Sequence, residues 1–282
     1  MTERRAVLRT CAALLVACLS VLATARPATA EKLDLSGYVE TFTEEFKSLD
    51  LSAWGPGTRW IAHTPWHGDF GDATFIDPGP FGPFSLTPDG LRITATKLPD
   101  GRWTSGLICS MDRDGPGQKG FAQKYGYFEM RAKLPEGPGT WPAFWLIGID
   151  KAKSSAEIDV VEFYGHDPRF FHAVEHIWVG GRDRYGRDRM MEVTPHLLSA
   201  DYNTFGVRIT PDTTTFFLNR ESFWVTPTPP EYKQPMYVLA NLALGGGWPV
   251  KDLHSPAFMD ISAIRVFQSK AALQSDPDHA GP

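Results

Sequence analysis

A chain of 282 residues in which 22% are charged and 42% hydrophobic has a globular composition, neither disordered nor fibrous. Its 28 basic residues against 33 acidic ones give a net charge of −5, which argues against a nucleic-acid binder, because such domains are usually basic. The 26 Gly and 23 Pro predict many turns between short strands, and nine Trp in a 12% aromatic fraction stand out as an excess to be explained.

The first predicted element is a secretory signal peptide over residues 1–30. Arg4, Arg5 and Arg9 precede an apolar run from Cys11 to Ala25, and Ala28-Thr29-Ala30 supplies a small-residue cleavage site. The paired arginines suit a twin-arginine leader as well as an ordinary Sec leader. Leu15-Val16-Ala17-Cys18 has the form of a lipoprotein box, but the apolar residues that continue from Leu19 argue against lipid anchoring. The expectation is an exported protein, periplasmic or extracellular. Removing the leader's four Arg and one Glu leaves 24 basic against 32 acidic residues, a balance of −8. No later run approaches eighteen apolar residues, so no membrane association of the mature form is expected. Cys11 and Cys18 fall in the leader, which leaves Cys109, between apolar neighbours, as a packed residue without a disulfide partner.

The stretch from Trp54 to Pro83, rich in Gly, Pro, Trp and His, reads as a long ordered loop of the kind that is usually functional. Strand chemistry then recurs at Leu91–Thr96, Tyr125–Lys133, Trp141–Ile149, Glu157–Phe163, Ala173–Val179, Thr204–Thr210, Thr214–Leu218, Met236–Leu244 and Ile261–Phe267. Such spacing predicts an all-β sandwich or jelly roll, here as one domain over residues 31–269 that acts as a monomer. Residues 270–282 read as a frayed polar tail.

Within Glu157-Ile158-Asp159-Val160-Val161-Glu162, three acids interrupt an apolar, β-branched run. Alternation points Glu157 and Asp159 one way and Ile158 and Val160 into the core. A one-residue bulge after Asp159 would bring Glu162 onto the acidic face as well. Three clustered carboxylates repel, so at least one should hold its proton near neutrality, as retaining glycoside hydrolysis requires. A solvated strand face or a metal site suits the same spacing. In the preceding segment Trp141, Ala143 and Trp145 share a face, two rings around a small side chain, while Phe144 and Leu146 fill the other. This predicts a slot for flat apolar faces such as those of sugars.

With these motifs the sequence resembles glycoside hydrolase family 16. The block Gly139 to Leu146 is similar to the family's G-x-W-P-A-x-W-L. The extra residue between Asp159 and Glu162 matches the laminarinase-like, bulged branch. Tyr125 to Arg131, Asn241 to Pro249 and Met259 to Phe267 add further similarity, so the resemblance covers about residues 42–267. It implies a concanavalin-like β-jelly-roll of two curved antiparallel sheets and a sugar-binding cleft. It also implies Glu157 as nucleophile, Glu162 as acid/base and Asp159 as the residue that tunes the nucleophile. Trp141 and Trp145 would be sugar platforms, His176 with Trp178 would lie near the acid/base, and Trp248 and Trp66 would wall outer subsites. No cofactor is required.

Two departures stand beside the resemblance. Family members often place an Asp for a structural calcium where Ser262 stands here; Asp260 shares its strand parity, so calcium is in doubt. Gly206 to Thr210 also lacks the Glu-Trp pair common at that position. The function expected is endo-acting, retaining cleavage of a β-linked polysaccharide: a β-1,3- or β-1,3-1,4-glucan, or a bacterial exopolysaccharide. The acidic balance argues against highly anionic polymers. A non-catalytic carbohydrate-binding protein and a transglycosylase on the same fold are the alternatives.

Overall fold

The computed structural model describes residues 30–113 and 119–275, so the expected signal peptide up to position 29 lies outside the described residues, as do positions 114–118 and 276–282. Among the described residues, two ten-stranded sheets face one another. One contains Tyr38–Glu44, Gly90–Lys97, Gly126–Lys133, Asn203–Ile209 and Ala257–Ser269; the other contains Thr140–Gly148, Ser155–Glu162, Phe170–Val179 and Pro235–Leu244. Each of the nine predicted strands is present. Pairing is antiparallel except for two short parallel pairs, Leu51–Ser52 with Trp60–Ile61 and Ala73–Phe75 with Trp103–Ser105. The two antiparallel sheets expected are therefore present, mixed only at their edges.

The core between the sheets follows from period-two patterning. Phe128, Met130 and Ala132 point inward from one sheet and meet Phe144, Leu146, Ile158 and Val160 from the other, all buried. Truncating one such ring, as in Phe144→Ala, costs about 3–5 kcal/mol at sites of this kind. Cys109 is buried and free, and burial pushes its thiol pKa up, which leaves it a packed residue without nucleophilic character. Among the described residues no helix is long and apolar enough to cross a membrane.

A second, smaller apolar cluster lies on the outer face of the sheet that carries the three acids, with Ala143, Trp145, Ile147, Tyr237 and Leu239 at its centre. The loop expected from Trp54 to Pro83 folds over this face and carries two short strands of its own, Trp60–Ile61 and Ala73–Phe75. Gly71 pins it. Its φ is +75°, and a Cβ there would collide with the Leu244 carbonyl, which accepts the Asp72 amide at 2.8 Å. Phe70 is thereby fixed above the sheet. At the other end of the chain, Lys270–Ser275 forms a short helix where a frayed tail was expected.

Candidate active site

Register shows how the acids come together. Asp159 pairs with Val174 and Glu162 with His172, so three steps on the carboxylate strand (Ser155–Glu162) match two on its neighbour. The extra residue is the predicted bulge, and it turns both Val160 and Val161 into the core. Glu157, Asp159 and Glu162 consequently line one cleft of about 250 Å³, with Trp66, Phe70, Trp141, Ala143, Trp145, His176, Trp178 and Asn241 around them. Ala143 sits in register between Glu162 and Asn241, so its small side chain keeps the floor open beside Glu162.

Each glutamate is held by an indole. Trp178 Nε1 donates a short hydrogen bond to Glu157 Oε2, and Trp141 Nε1 donates to Glu162 Oε1 at 2.9 Å. Tyr164 Oη adds a longer bond, 3.4 Å, to the same Glu162 oxygen. His176 stands opposite Glu157 across the strands; its Nδ1 pairs with Asp183 at 2.8 Å, and its Nε2 lies 3.5 Å from Asp159. Trp178 stacks on the same imidazole at 4.9 Å. An acid–imidazole–acid line therefore runs into the middle carboxylate. Among the described residues no Lys or Arg lines this cleft.

Burial pushes all three carboxyls above their ordinary range. For Asp159 the negative charges of Glu157 and Glu162 push in the same direction. The indole N–H bonds act the other way on the two glutamates, since they favour the charged form. Three acids sharing so little solvent resist ionising together, which raises the cost of the last charge and favours a shared proton among them.

The tryptophans expected as platforms divide into three kinds. Trp141 and Trp178 spend their N–H groups on the acids. Trp145 is only 5% exposed, with its N–H given to Asn241 Oδ1 at 2.8 Å and its ring edge-on to Phe70 and Trp66, so it is a wall without an open face. Trp66 keeps 45% of its surface exposed at the cleft's rim. Trp248 is 44% exposed but is not among the residues lining the cleft; it stacks on His166 at 3.6 Å. His176 and Trp178 belong to the cleft, but they stand against Glu157 and Asp159 rather than beside Glu162 as expected, and it is His172 that sits opposite Glu162. Phe70, Asn241, Tyr164 and His172 were not anticipated. Asn241 had a legible signal, a polar residue fully buried inside an apolar strand; Phe70, in a loop, had none.

The residues suggested for calcium do not fit it. Both Asp260 oxygens are taken by Arg92, at 2.6 and 2.8 Å, with Lys133 Nζ at 3.8 Å, while Ser262 Oγ exchanges hydrogen bonds with Arg131. A guanidinium fills the place of a cation, and calcium would need six or more oxygen ligands. Among the described residues no group of three or more His, Cys, Asp or Glu is arranged for a metal.

A family model for glycosyl hydrolases family 16 matches residues 89–257, which include the whole carboxylate strand and its neighbours. The chain belongs to that family. Among relatives, the endo-1,3-1,4-beta-glycanases ExsH and EglC of Rhizobium meliloti (strain 1021) are 31% and 29% identical, covering 86% and 85% of this chain. The chain spans only 54% of the length of each. A solved structure, the catalytic domain of an endo-1,3-beta-glucanase (laminarinase) from Thermotoga petrophila RKU-1, superposes with a TM-score of 0.66 at 22% identity, covering 83% of this chain and 98% of that one. At that identity the likeness speaks for the fold. It places this family 16 chain among laminarinase-like jelly rolls.

Proposed function

We propose that this family 16 chain is an endo-acting, retaining β-glycanase that cuts β-1,3- or β-1,3-1,4-linked glucan. The observation that carries the reading is the cleft itself: Glu157 and Glu162 flank Asp159 on one face, each held by an indole N–H rather than by an arginine or lysine ion pair among the described residues. Glu162, raised by burial, supplies the proton to the glycosidic oxygen as the bond to the anomeric carbon breaks. Glu157 attacks that carbon and forms a glycosyl ester. Glu162, now a carboxylate, takes a proton from water, whose oxygen displaces Glu157 and restores both groups. The His176–Asp159 contact orients the middle acid, whose proton or charge sets how easily Glu157 ionises. The names of the two Rhizobium relatives support a 1,3-1,4-linked substrate.

The test is the anomeric configuration of the first product released from laminarin and mixed-linkage glucan, followed by NMR. Retention is the expected result, and initial inversion overturns the two-step assignment. A carbohydrate-binding protein of the same fold would release no reducing ends. Water and a sugar hydroxyl compete for the same intermediate, so added acceptor oligosaccharide measures any transglycosylation. The role given to Arg92 in place of a metal predicts that EDTA leaves activity and melting temperature unchanged.

A further inference from the structure

The side-chain row that carries Glu157 continues across the sheet through Ile147 to Tyr237. Beyond it a second pocket of about 280 Å³ opens, bordered among others by Trp66, Asp112, Arg113, Ile149, Lys151 and Tyr237. Trp66 lines both this pocket and the acid cleft, so the two are neighbours across one indole. Lys151 Nζ lies 4.2 Å from the centroid of that indole and donates a 2.9 Å hydrogen bond to Tyr237 Oη. Among the described residues no carboxylate forms an ion pair with it, although the charge of Glu157 acts on it through space. The pocket's acid, Asp112, is 5% exposed and its Oδ1 is packed against Gly55, where no Cβ would fit.

The Lys151 side chain is exposed, yet its ammonium lies over the Trp66 ring and against the Tyr237 hydroxyl; partial burial holds its pKa below the usual lysine range, while the charge of Glu157 acts the other way. Of its three N–H donors, one is engaged by Tyr237. The other two are left for an acceptor such as a carboxylate, in a pocket that also holds the Trp66 ring, Ile149 and a second cation, Arg113. We propose that Lys151 recognises a carboxylate carried by the polysaccharide substrate, on a sugar seated beside Trp66. The assignment rests on the glycanase reading above and narrows its substrate class to a lightly acidic polymer. One carboxylate per binding register is compatible with the acidic balance of the chain, whereas a dense polyanion would be repelled by the three acids next door.

Two partially substituted β-1,3-glucans test this, each against its unmodified parent: one hemisuccinylated, carrying an ester-linked acid, and one oxidised at C6, carrying the acid on the sugar itself. Wild-type kcat/KM is expected to favour at least one of them about five- to tenfold, mainly through KM, and the favoured polymer identifies the source of the carboxylate. In Lys151→Gln the preference falls to about one, and in Lys151→Arg it returns. A wild type that cuts both polymers no better than the parent, or a preference that survives Lys151→Gln, overturns the proposal while leaving the glycanase reading intact. Failure to cut the parent or either derivative overturns both.

Discussion

Carboxylates are buried on the outer faces of both sheets, and the two faces treat them in opposite ways. On the sheet away from the cleft, Glu129 is 2% exposed and Asp260 4%, and each is gripped at both oxygens by an arginine, Arg220 and Arg92. In the cleft, Asp159 at 6% and its two glutamates meet only indole N–H groups, a tyrosine and an imidazole. A bidentate arginine fixes a carboxylate in its charged form and makes it structural. Withholding that partner leaves the acid able to gain and lose a proton, which costs stability and creates reactivity. The largest effect therefore separates the two faces. Glu157→Gln and Glu162→Gln should each lower kcat on laminarin by at least ~10³-fold. The same substitutions should raise the melting temperature at pH 8, because a carboxyl whose folded pKa lies above its unfolded one loses folding free energy as pH climbs between those values. Below that window the gain vanishes. A drop in melting temperature at pH 8 would remove the contrast with the paired acids.

Arg220→Ala reverses the pattern. It strands Glu129 without its cation, and denaturant unfolding should show a loss of about 3 kcal/mol with kcat/KM unchanged. Glu175 is an intermediate case, lodged between the sheets rather than on either outer face. It is fully buried, accepts a hydrogen bond from Thr226 across the sandwich, and burial raises its pKa to about 7. Stability should fall as pH rises from the ordinary carboxylate range to about 7, since over that span the folded state binds the extra proton. Glu175→Gln should then stabilise the protein at pH 8 by about 2 kcal/mol, seen as a rise of several degrees, and have no effect at pH 4. A pH-independent shift would mean that Glu175 is charged and paired through the whole range.

Period-two alternation made the strands legible because one face of each had to be apolar, and the bulge was legible because Glu162 would otherwise have pointed into the core. The edge strand Arg187–Glu192 was hidden for the converse reason. Five of its six residues are exposed, so nothing in its composition demands a strand, yet its Asp188 holds His172 opposite Glu162. The tryptophan excess was legible as a cleft and misleading as to role. Sequence shows an aromatic ring's apolar face but not where its N–H is spent, and that depends on register across strands far apart in the chain. Phe70 and Lys151 reach the cleft region through loops, whose path is set by contacts such as Gly71 against Leu244 rather than by a local pattern.

The finest distinction between the faces is how weakly the cleft acids are held, and Trp141→Phe measures it. The phenyl ring keeps the apolar contact with Phe70 and Tyr164 while deleting the donor to Glu162 Oε1. That donor stabilises the carboxylate, so its loss raises the Glu162 pKa further above the ordinary range. In the proposed mechanism Glu162 acts in its protonated form and Glu157 sets the acid limb, so the alkaline limb of the kcat/KM profile should move to higher pH while the acid limb stays in place. Tyr164 remains as the longer donor and limits the shift. At the optimum the cost should be only several-fold, because a single hydrogen bond to a charged group is worth about 1.5–3 kcal/mol and part of it persists. An alkaline limb that stays in place would mean that the Trp141 bond positions Glu162 without tuning it, and the difference from the arginine-held acids would then be one of degree.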